Sequence, residues 1–325
     1  MLTVHYPRGT ILERQVVDHS GDIPKETVWI DLFNPAMGED KLVERTLGIA
    51  VPTREEMQEI EVSSRLYEEN GARYMTATMI CQADTPNPKI TAVTFILTEK
   101  TLITVRYDDP RPFPIVSNKL NRVCPANITG QIVLNNILEA IIDRAADILE
   151  RIGGDVDRVS HDVFEPEGRR TNRSLTYRYI LKSVGKSGDL TSKIRESLVS
   201  IGRLVLFLLN EPETGKLTKD FRAELKSMQR DVQSLLDHTT YLTNNITFLL
   251  DAMVGFVTIE QNNVIKIFSV VSVVLMPPTL VASIYGMNFK HMPELDWALG
   301  YPFAVGLMLA AAVVPYVFFK WRRWL

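Results

Sequence analysis

Polar and apolar positions follow two regimes along this chain. Through residue 262 charged side chains recur every few positions, and from 264 onward almost all residues are apolar. Up to residue 110 of the first regime, short runs rich in β-branched and aromatic residues read as strands, at 28–33, 74–81, 92–97 and 102–106. Glu99-Lys100 fits a tight turn between the last two. Helices are predicted between the strands at 38–47 and at 53–60, where Thr53 can cap the helix and Glu56 stands three residues on. The run Asp108-Asp109-Pro110-Arg111-Pro112-Phe113-Pro114 ends strand structure, because proline cannot donate to a ladder.

Long helices follow. Ile137, Ile141, Ile148, Ile152, Val156 and Val159 recur at helical spacing within 132–163. Glu165-Pro166-Glu167-Gly168 breaks this helix, and a second one covers 175–209, loosened by Gly185 and Gly188. After the break at 210–215 there is no proline until Pro277, and the only glycine is Gly255. The stretch from Lys216 therefore reads as one helix that runs from the charged regime into the apolar one. Its charged part would be about 70 Å long at a rise of about 1.5 Å per residue. Such a helix must pack on its predecessors or on other copies of the chain.

Residues 264–285 contain one charge, Lys266, and residues 298–319 contain none; each run is 22 residues long. A helix of that length reaches about 33 Å, enough for a hydrocarbon core of about 30 Å. Both are predicted to span a membrane, since two such runs separated by a short loop are rare in soluble domains. Lys320, Arg322 and Arg323 follow the second run directly and argue for a cytoplasmic C-terminus. The first 18 residues contain no apolar core of signal-peptide length, so the N-terminal region is expected in the cytosol as well. The loop 286–297 then lies outside. The predicted architecture is an α+β cytosolic domain over 1–115, long cytosolic helices over 116–262 and a two-helix transmembrane domain over 263–325.

Composition excludes more than it adds. The net charge of −3 gives no reason to expect nucleic acid as a partner. Cys81 and Cys124 are far apart and read as buried, reduced thiols. No GxxxxGK[ST], HExxH or GxSxG sequence occurs, and the five histidines, at 5, 19, 161, 238 and 291, are scattered. No enzyme and no organic cofactor are expected. His161-Asp162 reads as a helix-surface pair and His291 as an ordinary loop residue.

The chemical signal lies inside the first apolar run. Ser269, Ser272, Met276, Thr279, Ser283 and Gly286 are spaced alternately three and four residues apart, which is one face of a helix. Projected backward, that face meets Ile265, Asn262, Thr258, Gly255 and Asp251. Small and hydroxyl residues also let membrane helices pack closely, so an ordinary two-helix anchor is one reading. The other is a pore wall. Two spans cannot enclose water, so a pore needs several copies, and each stripe residue becomes a ring. Hydroxyl rings can bond the water around a hydrated cation, Met276 would be an apolar constriction, and Asp251 would place a negative ring at the inner end. Pro277-Pro278 frees the carbonyls of Val273 and Val274, which would face pore water or simply mark a bend.

The outer end, Tyr285-Gly286-Met287-Asn288-Phe289 followed by Met292-Pro293-Glu294-Leu295, resembles the CorA family of divalent-cation channels. The likeness continues through Ile259-Glu260-Gln261-Asn262, Met276-Pro277-Pro278-Thr279-Leu280 and Gly300-Tyr301-Pro302 to the basic end. It is strong over residues 250–325 and looser upstream, where Trp29-Ile30-Asp31-Leu32 is similar. The resemblance implies a homopentameric funnel in a bacterial-type inner membrane, contacting lipid and importing Mg²⁺, with Co²⁺ or Ni²⁺ as alternatives. It implies that Asn288 receives the hydrated cation, that Gly286 and Met287 shape the entrance, and that Thr279, Met276 and Phe268 lie lower in the pore. Mg²⁺ would also act as a regulator bound by cytosolic carboxylates. Glu294 and Asp296 of the outer loop can concentrate cations there. Two other readings stand beside this one. A zinc transporter of the same superfamily, with or without proton coupling, shares the Gly-Met-Asn motif, but its loop tends to differ from Met-Pro-Glu-Leu. A membrane-tethered metal sensor would need neither the stripe nor Asp251.

Overall fold

A computed structural model describes the chain except for residues 19, 60, 165–172, 211–216, 289–291, 294–296 and 323–325, and except for the side chains of 62 and 173–176. The described chain divides into two compact units, Met1–Leu249 and Leu250–Leu325. The first opens with strands β1 (Leu2–Arg8), β2 (Ile11–Val17) and β3 (Trp29–Phe33), then helices α1 (Glu39–Leu47), α2 (Arg54–Met57) and α3 (Val62–Arg65). Strands β4 (Leu66–Glu69), β5 (Ala72–Cys81), β6 (Lys89–Leu97) and β7 (Leu102–Arg106) come next, followed by α4 (Pro112–Arg122), α5 (Gly130–Phe164) and α6 (Arg173–Leu209). Helix α7 (Lys219–Tyr285) begins in the first unit and continues in the second, which also holds α8 (Gly300–Trp321).

The strands form one sheet in the order β2-β1-β3-β7-β6-β5-β4. The central pair is parallel, with Trp29 opposite Leu102 and Phe33 opposite Arg106; the other pairings are antiparallel. Asn70 (φ 51°) and Gly71 (φ 77°) turn the chain between Glu69 and Ala72. Two consecutive left-handed residues make the two-residue hairpin turn that Asn-Gly favours, because both tolerate that conformation.

Side chains alternate across the sheet with a period of two. Trp29, Met75, Ala77, Phe95, Leu97 and Leu102 point into a core completed by α4, α5, α6 and the start of α7. Ile30, Leu32, Tyr74, Ile96, Ile103 and Val105 point the other way, onto Val43 of α1 and Met57 of α2. Both faces are therefore covered, which is why β3 and β7 read as nearly continuous apolar runs.

Asp31 and Arg106 are the exceptions, each about 6% exposed. The parallel register sets them on the helix-covered face of neighbouring strands. Arg106 donates through Nε and Nη2 to the two oxygens of Asp31, at 3.0 and 2.8 Å. Thr104 donates to Asp31 Oδ1 at 2.8 Å and accepts from Trp29 Nε1 at 3.0 Å. The rings of Phe33 and Phe113 cover the guanidinium at 4.4 and 4.7 Å. The whole constellation is satisfied internally, the condition under which a buried ion pair is tolerated.

His5 is stacked on Trp29 at 4.3 Å, and its Nδ1 finds no hydrogen-bond partner among the described residues. Burial is the main cause that pushes its pKa down to about 4, against an upward pull from Asp31 and a further downward push from Arg14. The unfolded chain binds this proton near pH 6.5 and the folded chain does not, so stability rises with pH across that window. The shift is worth about 3 kcal/mol when complete. The thermal-unfolding midpoint is expected to fall as pH drops from 6.5 to 4. His5→Phe, which keeps the stacking, is expected to flatten that slope. Equal slopes for the two proteins would remove His5 as the cause.

The expected strands and long helices lie at the positions the residue pattern indicates, and both cysteines are free and buried. The helix expected over 53–60 is shorter. Thr53 and Glu56 form the full capping box, but Gln58 and Glu59 bond back to Glu55 and Glu56 three residues away, which tightens and closes the helix after one turn. Strands β1, β2 and β4 and helices α3 and α4 add to the expected elements. The Pro-rich run does end β7, yet Pro112 also sits in the first turn of α4, where its missing N–H costs nothing. The expected break at 165–168 and residues 211–215 of the break at 210–215 lie outside the described residues.

Candidate functional site

The second unit consists of the end of α7 and of α8, both long and apolar enough to cross a membrane and both almost wholly exposed over their apolar stretches. Among its described residues Met253, Val270, Gly300 and Ala304 are buried. The exposed surface is large: Val264, Ile265, Ile267, Leu275 and Leu280 on α7 and Leu309, Val314 and Val317 on α8 stand free. A monomer in water would not leave such a surface uncovered.

The polar stripe lies on this surface. Asp251, Gly255, Thr258, Asn262, Ser269, Ser272, Met276, Thr279, Ser283 and Gly286 are all exposed. Met276 is 69% and Phe268 70% exposed, with Phe268 one position beside the stripe. Three hydroxyls turn their protons back onto the helix: Thr258 bonds the Val254 carbonyl at 2.8 Å, Ser269 that of Ile265 at 2.8 Å and Thr279 that of Leu275 at 2.7 Å. Each hydroxyl therefore presents its oxygen lone pairs outward. Water bound to a cation points its hydrogens away from the ion, so a face of outward acceptors suits a hydrated cation. Residue type alone does not reveal this polarity.

Pro277 and Pro278 stay within the helix. They leave the Val273 and Val274 carbonyls without their usual donors, as expected from the missing N–H groups. At the C-terminal end of α7 Gly286 N–H bonds Ala282 at 3.0 Å, and Met287 N–H bonds Ile284 at 3.2 Å, so the helix closes on a tightened turn. A Cβ on Gly286 would lie 3.2 Å from the Ala282 carbonyl oxygen, which leaves little room for any other residue. Met287 and Asn288 follow on the exposed side of this turn. Asp251 is not brought near them: the intervening helix extends about 51 Å. Glu294 and Asp296 lie outside the described residues, as do Phe289, Lys290, His291 and Arg323. Within a single chain, no group of three or more His, Cys, Asp or Glu among the described residues is arranged to hold a metal ion.

The chain matches the family described as CorA-like Mg²⁺ transporter protein over residues 24–323. It is 33% identical over 325 residues, the full length of both chains, to the magnesium transport protein CorA of Yersinia pseudotuberculosis. Its fold is similar to the complete CorA magnesium transporter from Methanocaldococcus jannaschii, with TM-score 0.76 and 16% identity, covering 98% of this chain and 97% of that one. The cytoplasmic domain of ZntB from Vibrio parahaemolyticus is also similar in fold, at TM-score 0.58 and 12% identity over 78% of this chain and 96% of that one.

Proposed function

The chain belongs to the CorA-like Mg²⁺ transporter family, and from that membership we propose that it imports Mg²⁺ through a pore lined by the end of α7 in a homopentamer. One observation carries the pore assignment: a stripe of hydroxyl, small and sulfur-bearing residues runs along an otherwise apolar helix, exposed, with the hydroxyl protons of Ser269 and Thr279 turned back onto helix carbonyls.

The proposed path begins at Asn288. Mg²⁺ releases its water reluctantly, so a ring of neutral carboxamides suits it by accepting hydrogen bonds from the shell without stripping it. Gly286 and Met287 hold that ring at the tightened turn. Below it, Ser283, Thr279 and Ser272 offer further acceptors to the same shell. Met276 and, lower still, Phe268 form apolar rings that block the path when dewetted. Asp251 supplies a negative ring at the inner end, and Glu294 and Asp296 raise the cation concentration outside. In this reading residues 1–262 and the C-terminus lie in the cytosol, residues 263–325 lie in the inner membrane, and loop 286–297 faces outward. Cytosolic Mg²⁺ acts as the regulator that favours closure.

Uptake into liposomes holding the purified protein tests this. Mg²⁺ entry that follows membrane voltage and needs no pH gradient is expected. Zn²⁺ entry driven by a pH gradient would instead identify a zinc transporter, and no flux of either ion would leave a tethered sensor. With millimolar Mg²⁺ preset on the cytosolic face, entry is expected to slow severalfold; an unchanged rate would remove the regulatory role.

A further inference from the structure

The first unit contains a cavity of about 510 Å³ where α6 passes the outer edge of the sheet. Arg195, Val199, Ser200 and Arg203 form one wall, and Arg65 and Thr78 face them from α3 and β5. Arg195 and Arg203 are eight residues apart, about 12 Å along the helix. Glu196 is the one acid in the lining, so three guanidinium groups leave it a net charge of +2. Several other buried or clustered arginines among the described residues are neutralised: Arg106 by Asp31, and Arg111, Arg144 and Arg151 together by Asp84. Among the described residues, Arg65, Arg195 and Arg203 form no ion pair. Arg65 bonds the Thr78 hydroxyl and the Glu59 carbonyl, Arg195 bonds Thr240, and Arg203 bonds nothing among the described residues.

The hydroxyls point to the same chemistry. Thr78 Oγ1 accepts from Arg65 Nη1 at 3.1 Å, and Ser200 Oγ accepts from the Thr78 backbone N–H at 2.9 Å. Neither hydroxyl donates to any described residue. Thr78 is only 7% exposed, so its hydroxyl, which lines the cavity, has little contact with bulk water. A site with spare guanidinium and hydroxyl donors and few acceptors is built for an anion.

Size narrows the class. The volume falls in the range of small-molecule sites, several times that of one phosphate group. A neighbouring cavity of about 330 Å³ shares Arg65, Thr78 and Glu196 and adds one cation and one acid, Arg54 and Asp108, of which Arg54 lies over the Tyr107 ring at 5.1 Å. We infer that this cavity binds a polyphosphate anion, either inorganic pyrophosphate or a nucleoside triphosphate, gripped by Arg65, Arg195 and Arg203.

Calorimetric titration of the purified full chain in Mg²⁺-free buffer tests the inference, with ATP, pyrophosphate and orthophosphate as probes. ATP and pyrophosphate are expected to bind, and orthophosphate at least tenfold more weakly. Arg203 is exposed and bonds nothing among the described residues, so Arg203→Glu leaves the fold intact and should weaken binding tenfold or more. Thr78→Val should weaken it severalfold. Arg230→Glu, on an exposed position of α7 outside the cavity, should change nothing. Equal affinity for ATP and pyrophosphate would mean that only phosphate groups are read; tighter ATP binding would mean that the adjoining cavity takes the nucleoside. No binding at millimolar probe, orthophosphate as tight as pyrophosphate, an unaffected Arg203→Glu variant or an equally weakened Arg230→Glu variant would each overturn the assignment.

Discussion

Asn288→Ala is expected to lower Mg²⁺ uptake at least tenfold while the oligomer remains intact. In the proposed pore the carboxamide contributes one acceptor per subunit to the hydration shell of the entering ion. A net hydrogen bond is worth about 1 kcal/mol, and about 1.4 kcal/mol corresponds to a tenfold change. Removing about two of these hydrogen bonds around the ring would therefore suffice. Asn288 lies beyond the end of α7 and is exposed, so its truncation removes no packing within the chain. Uptake should be read alongside size-exclusion chromatography in detergent. An assembled Asn288→Ala protein that transports at the normal rate would mean that the outer ring lies elsewhere.

The second large effect concerns the fold. Asp31→Ala removes the counterion of Arg106 and leaves a buried guanidinium between two phenyl rings. Removing one partner of a buried pair typically costs about 3–5 kcal/mol, because the other charge remains desolvated. Chemical denaturation of the full chain should show a loss of that size. Asp31→Leu combined with Arg106→Leu should cost less than Asp31→Ala alone, since apolar replacement of both charges is often nearly neutral. A loss under about 1 kcal/mol for Asp31→Ala would mean that Asp109, which also bonds Arg106 at 2.5 Å, is a sufficient counterion.

Patterns local to one element are legible in the sequence, and patterns made by tertiary contact are not. The three-four alternation from Ser269 to Ser283 is a property of one helix, and it lies on an exposed face of α7, with Gly286 in the turn that closes it. The strands at 102–106 and 92–97 stand out because their apolar runs are nearly continuous. Strands β1 and β2 carry charges at Arg8, Glu13 and Arg14, which mask their alternation, and β4 is only four residues long with no buried position. Asn70-Gly71 is a hairpin signal in its own right, but the short, charged β4 beside it hides the strand it closes. The pairing of Asp31 with Arg106 depends on the parallel register of β3 and β7, and that register is set by no neighbouring residue. The arginine cavity gathers Arg65 from one end of the unit's sequence and Arg195 and Arg203 from the other. Only the helical recurrence of Ser192, Arg195, Val199 and Arg203 hints at it.

Burial of the two thiols has a practical consequence for anyone probing this protein. Cys81 is pushed up to about 12, chiefly by desolvation, and Cys124 is raised for the same reason. Alkylating reagents attack the thiolate, and at neutral pH the thiolate population of Cys81 is vanishingly small. Native Cys81 is therefore expected to react slowly with maleimides, and Cys124, which is buried as well, is expected to add little background. A single cysteine introduced at successive positions of the stripe would report its own solvent exposure against a low background, one position at a time along the helix.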